Sequence, residues 1–232
     1  MPFGFSKSFH QSIGNASPTL VSGSTLMLRA SLGLTLSGSN VLVWADQSGN
    51  GNDCTPPSYS PTYNATGING LPSVHFVGAD DLSFASFTAG LTALELFVVA
   101  QNTDDGATSV APMAFTDDTG PNLIPFATNR QILDNTGSTT LQTTGFAPAA
   151  GKWNTPWLYN VVATGSEWTA HFNGTQVYTL ASNTFGYGTK RVGKGSTLAY
   201  LGDIAEVILY PAKLSDADRA TNTSYLTTRY GI

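Results

Sequence analysis

At 232 residues the chain has room for one generous domain with its own core. Charged residues make up 11% of it against 41% hydrophobic ones, and 24 glycines punctuate the rest, a turn-rich β composition and not a disordered one. The formal net charge is −5 and the ten Lys and Arg are scattered, which argues against nucleic acid or an anionic membrane as partner, because phosphate affinity rests on clustered cations.

Residues 1–24 are polar and loop-like, with Phe3, Phe5 and Phe9 standing out of a Ser/Gly background. Three rings cannot offset backbone ordering at about 1–2 kcal/mol per residue, so this stretch is expected to be an extended arm that anchors on a partner surface, the alternative being that it folds back over its own sandwich and covers an open sheet edge. No stretch approaches the roughly 20 apolar residues of a membrane span. The start also lacks the apolar centre of about 7–15 residues that a signal peptide needs, so the chain is expected to be made in a cytosol and not inserted in a membrane.

From residue 25 onward, short apolar runs are bounded by Gly, Pro, Asn and Asp: TLMLRA (25–30), NVLVWA (40–45), SVHFVG (73–78), ALELFVVAQ (93–101), WLYNVVATG (157–165), EWTAHFNG (167–174), TQVYTLA (175–181) and DIAEVILYP (203–211). Runs of this length and spacing predict strands of an antiparallel sandwich or barrel filling 25–232. Trp44, Phe76, Phe97, Val99, Val207 and either Trp168 or Phe172 are its expected core.

Between the second run and the lone Cys54 lies WADQSGNGND (44–53). Gly49 and Gly51 suit positive φ, while Asp46, Asn50, Asn52 and Asp53 offer oxygens either to Asx turns or to a calcium ion. EF-hand spacing and its closing Glu are missing, as is the Gly-Lys-Ser/Thr ending of a phosphate loop, so Asx turns are expected and neither a metal site nor a cofactor is assigned. Cys54 cannot form an internal disulfide and is expected to pack as a small apolar residue.

The sharpest local signal is EWTAHFNGTQVYTL, in which Asn173-Gly174 predicts a type I′ hairpin. Alternation puts Trp168, Ala170 and Phe172 on one face and Thr169 and His171 on the other, with His171 toward solvent. One helix is predicted near 214–231, with Ser215 as N-cap, Asp216 and Asp218 at its positive end and Gly231 closing it. Its threonines are mediocre helix formers, so packing is expected to hold it. Residues 102–156 are the least readable stretch.

The acids look isolated. Glu95 and Glu167 stand alone in their strands, and Asp203 and Glu206, three apart, should point to opposite faces. The doublets Asp80-Asp81, Asp104-Asp105 and Asp117-Asp118 fall in turns. Glycoside hydrolysis needs two carboxyls facing one bond, so no catalytic residue is assigned. The loop-region aromatics Trp153, Trp157 and Tyr187 are the candidates for stacking on a sugar, against the alternative that Trp157 starts a core strand and Trp153 covers an edge.

Five ordered blocks, LMLRASLG, VLVWADQSGNGND, PTYNATGINGLPSVHFVGADDLSF, YNVVATGSEWTAHFNGTQV and LGDIAEVILYPAKLSDADRATNTSYLTTRYGI, resemble the concanavalin A-like, laminin-G-like jelly-roll superfamily, in the form found in bacteriophage virion and bacterial surface proteins. The resemblance implies an all-β, two-sheet antiparallel jelly-roll sandwich with a short C-terminal helix. Together with the absent export signal it gives the expectation of a non-enzymatic virion surface protein, made in the host cytoplasm. It would decorate a capsid or tail, dock on other virion proteins or symmetry copies through the arm, and meet host-surface glycans. The alternative is an extracellular carbohydrate-binding module of a bacterial surface or secreted protein, and the third reading is a glycoside hydrolase.

Overall fold

The computed structural model describes residues 19–84, 90–108, 110–116, 128–186, 188–195 and 198–232. Phe3, Phe5 and Phe9, and with them most of the expected arm, lie outside the described residues, as does Tyr187.

Sixteen strands and one helix follow each other along the described chain: β1 (Leu26–Arg29), β2 (Leu34–Ser37), β3 (Asn40–Trp44), β4 (Cys54–Thr55), β5 (Thr62–Ile68), β6 (Leu71–Val77), β7 (Leu82–Phe84), β8 (Leu94–Asn102), β9 (Met113–Thr116), β10 (Leu133–Asp134), β11 (Gln142–Thr143), β12 (Trp157–Ala163), β13 (Trp168–Phe172), β14 (Thr175–Leu180), β15 (Thr189–Val192), β16 (Leu201–Tyr210) and α1 (Asp216–Tyr230). Every apolar run singled out above becomes a strand.

The pairing is antiparallel throughout. One path runs β14-β13-β12-β8-β16-β6-β5-β3-β4-β7-β15-β9, with β1 added to β16 and β2 to β3, while β10 and β11 form a separate ribbon. The path folds over on itself, since residues from its two halves share one core: Leu96, Val98, Trp157, Trp168 and Val207 from the first, Cys54, Leu82, Met113 and Val192 from the second. That is the all-β sandwich that the run spacing predicts, of the jelly-roll type that the resemblance implies. Each expected core residue is buried, Trp44 and Phe76 completely.

The first half of the path is covered on both faces. Along β8, Leu94, Leu96, Val98 and Ala100 point into the sandwich, whereas Phe97 and Val99 point outward into a second, smaller cluster with Leu158, Ile208, Tyr210, Leu226 and Tyr230. α1 supplies the last members of that cluster, which is why a helix of modest propensity is ordered. Its ends are closed as expected: Ser215 Oγ accepts from Asp218 N at 3.1 Å, and Gly231 sits at φ 66° and donates its N–H to Thr227 O. Residues 19–24 lead onto the same face, where Val21 N donates to Asn222 Oδ1 and Val21 O accepts from Tyr210 OH.

The Asp46 loop is a hydrogen-bonded staple. Its carboxylate accepts from Met27 N, Ser48 N, Ser48 Oγ and Asn52 N, while Asp53 Oδ1 accepts from Asp46 N. Asn50 and Asn52 donate to Ser24 O and Thr25 O, tying the loop to the start of β1. Gly49 and Gly51 stand at φ 87° and 73°, which a side chain would resist. Cys54, beside it, is fully buried, and burial pushes its thiol well above the ordinary range.

Candidate functional site

The outer face of the first half, where α1 packs, opens at its β5–β6–β16 end and between α1 and the β13–β14 hairpin. The first opening is the more chemically directed. Register places Asn40, Thr62, His75, Asp203 and Gln101 in one row across β3, β5, β6, β16 and β8. Strand alternation sends these side chains outward, and the next row adds Asn64 opposite Ser73.

Asp203 is the centre of this row. Its Oδ1 accepts from Ser73 Oγ at 2.5 Å and from Asn64 Nδ2 at 3.4 Å, and its Oδ2 lies 3.2 Å from His75 Nδ1. The carboxylate side chain keeps 18% of its exposure and the imidazole 33%, so both reach the surface. Gly67 makes the arrangement sterically possible, because a Cβ there would overlap Ser73 Oγ and press on Asp203. Around these groups, Ser39, Thr62, Tyr63, Asn64 and Thr66 complete a groove of about 490 Å³. The chemistry is that of a hydrogen-bonding cradle: one carboxylate, one imidazole, one amide and the hydroxyls of Ser39, Thr62, Tyr63, Thr66 and Ser73. A Ser-His-Asp triad it is not, since the aspartate stands between serine and histidine and leaves the serine without a base.

The second opening, about 580 Å³, lies between α1 and the β13–β14 hairpin and is lined by His171, Gln176, Asp216, Arg219, Thr223 and Thr227. His171 therefore faces the helix and not open solvent, which corrects the hairpin reading. Burial, followed by the nearby Arg219 charge, pulls its pKa down to about 4. The hairpin turn itself is as expected, with Asn173 and Gly174 at φ 49° and 78°.

The expectation that Asp203 and Glu206 point to opposite faces is also corrected. β16 carries a bulge between Ile204 and Glu206, so Ile204 pairs with Ala100 while Glu206 pairs with Val99. The extra residue shifts the alternation by one and returns Glu206 to the face that carries Asp203. Glu206 is nevertheless shut beneath α1, where Arg29 Nη2 at 2.9 Å and Tyr230 OH at 2.8 Å bond it. Glu95, on the same face, is held by Arg219 Nε and Nη2 at 2.7 and 3.0 Å, by Asn160 Nδ2 and by Leu214 N. Two of the aspartate doublets act as loop ties: Asp80 accepts from Val77 N, Asp104 from Gly106 N, and Asp105 from Gly151 N and Trp153 N, while Asp117-Asp118 lies outside the described residues.

Trp153 and Trp157 are wholly buried in the main core. Their rings meet edge to face at 5.7 Å, both lie against Phe172, and their indole N–H groups donate to Arg130 O and Asn102 Oδ1. Neither ring face is open to a sugar. The groove residues escaped the sequence reading because register across five strands assembles them. The one local signal was Ser73 and His75, two apart on one strand face.

No family model matches the chain, and no curated protein matches it by sequence. Solved structures do. An arabinofuranosidase complexed with arabinofuranosyl-α-1,2-xylobiose superposes with TM-score 0.60 at 16% identity over 91% of this chain and 60% of that one. Domain 4 of a GH43 extracellular arabinanase from Geobacillus stearothermophilus, in complex with arabinotriose, gives 0.60 at 10% identity over 88% of this chain and 98% of that one. A Trypanosoma rangeli sialidase gives 0.54 at 13% over 89% and 33%. At these identities the likeness establishes the β-sandwich fold, and the chain spans only part of the length of the arabinofuranosidase and the sialidase.

These neighbours overturn the expectation of a non-enzymatic virion surface protein. The structures named are glycoside hydrolases or a domain of one, and nothing in them links the chain to a virion. The exclusion of enzymatic work falls too, and part of its physical basis, the opposed faces of Asp203 and Glu206, is removed by the bulge.

Proposed function

We propose that this chain is a concanavalin A-like glycan-handling domain of a glycoside hydrolase, and that the glycan lies in the Asp203 groove. The observation that carries this reading is the cradle itself. Asp203 is pre-set by Ser73, Asn64 and His75, yet keeps an exposed edge in a groove inside the range of about 300–1,000 Å³ common for ligand sites. Support comes from the arabinanase domain, which this fold matches over nearly its whole length and which was solved with arabinotriose.

A second reading, that the chain itself cleaves the glycan, is favoured by the match to an arabinofuranosidase over 91% of this chain. Asp203 would then be the accessible carboxyl and Glu206 its neighbour on the strand. The cost is that Glu206 is only 1% exposed, so α1 would have to lift for it to reach a substrate.

Titration calorimetry with arabino-oligosaccharides, run beside a reducing-sugar assay on arabinan, tests both. Binding that is lost in Asp203→Asn, without sugar release, supports the first reading. Release abolished by both Asp203→Asn and Glu206→Gln supports the second. Neither binding nor release would sink both.

A further inference from the structure

We infer that the Asp203 groove takes a neutral sugar, with a ring hydroxyl donating to the acceptor site left on Asp203 Oδ2, and that it rejects sialylated or uronic-acid glycans. The inference rests on the glycan reading of this groove and names the class of glycan.

The charge distribution carries the argument. Ser39, Thr62, Tyr63, Asn64, Thr66, His75 and Asp203 line the groove, and no lysine or arginine is among them. The arginines of this face are committed elsewhere: Arg29 to Glu206, Arg229 to Glu206 and Ser31, and Arg219 to Glu95 and Asp216. His75 is the lining group that can carry positive charge, and its Nδ1 already faces Asp203 at 3.2 Å. An anionic sugar would therefore bring its carboxylate against Asp203 without a cation to receive it, and recognition of carboxylates ordinarily uses the forked donors of arginine.

A neutral sugar meets complementary partners. Ser73 and Asn64 converge on Oδ1 and His75 lies against Oδ2, so of the carboxylate's roughly four acceptor sites one on Oδ2 remains to accept from a hydroxyl donor. Asn64, Thr62 and Thr66 can exchange further hydrogen bonds with ring and hydroxyl oxygens. A carboxylate accepting from neutral hydroxyls makes the stronger, charge-assisted kind of bond.

The test is calorimetric titration of the full chain with arabinotriose, 3′-sialyllactose and digalacturonate, repeated for Asp203→Asn and for Asn64→Ala, with thermal melting of each variant to verify folding. Arabinotriose is expected to bind at least about tenfold more tightly than either acidic probe, and Asp203→Asn to weaken it and narrow that gap. An acidic probe that binds as well as arabinotriose, and is lost in Asn64→Ala, would overturn the inference and leave the groove as a glycan site. Arabinotriose binding untouched by both folded variants would place the sugar elsewhere and overturn the inference. No binding of any probe would overturn it together with the reading beneath it.

Discussion

Asp203 and Glu206 sit three residues apart on β16, on the same face, and do opposite things. Glu206 lies under α1 at 1% exposure, bonded by Arg29 and Tyr230. Asp203 lies beyond the helix, steadied by Ser73, His75 and Asn64 and open along one edge. The carboxylate chemistry is the same. What differs is the cover: where the helix removes water, the acid must be matched by cations and becomes a fastener. Where the sheet end is bare, the acid is free to meet a ligand. The same rule explains Glu95, which the helix covers and Arg219 matches.

The covered side should therefore break first and hardest. Arg219→Ala leaves Glu95, at 0% exposure, without its counter-charge, and is expected to cost about 3–5 kcal/mol in a urea titration followed by fluorescence. A loss below about 1 kcal/mol would mean that water reaches Glu95 and that α1 is no real cover. Tyr230→Phe is milder, since it removes one donor from Glu206 while Arg29 stays. The expected cost is about 1.5–3 kcal/mol by the same titration.

The contrast between these regions also explains what the sequence could convey. Strands, hairpin turn and helix caps depend on neighbours in sequence, so alternating runs, Asn173-Gly174, Ser215 and Gly231 announced them. The face on which Glu206 falls depends on a bulge at Ala205, and nothing in DIAEVILYP marks an extra residue, so alternation counted straight through it gave the wrong side. The groove is further from reach, because Thr62, His75, Asp203 and Gln101 become neighbours only through register. Trp153 and Trp157 sit between turn residues in AGKWNTPWLYN, which reads like a surface loop, yet both rings fill the core. Distance from Gly and Pro does not measure depth.

His171 sharpens the comparison from the hairpin side of α1. Its folded pKa of about 4 lies below the ordinary value of 6.5, so between those limits the unfolded chain binds the proton that the folded one refuses. Stability from this group is present above about pH 6.5 and is lost as pH falls toward 4. Thermal melting at pH 7 and pH 5 should show a smaller drop for His171→Gln than for the parent chain. Equal drops would mean that the ring is solvated in the cleft and not pressed against α1.

The smallest effect on stability is expected at Asp203, and that is what makes it informative. Asn keeps the size and one carbonyl acceptor, so Ser73 retains a partner, and what is lost is charge at a site already in contact with water. Partly exposed ion pairs contribute little, and Asp203→Asn should lower the unfolding free energy from a urea titration by no more than about 1 kcal/mol, against several for Arg219→Ala. Gly67→Ala offers an independent approach to the same place, since its Cβ would push Ser73 off the carboxylate while leaving every polar group in the chain. Both variants should remain folded and bind arabino-oligosaccharide poorly. Should Asp203→Asn instead destabilise the chain as severely as Arg219→Ala, Asp203 would be a second fastener, and the division of this face into a covered structural half and an open working half would fail.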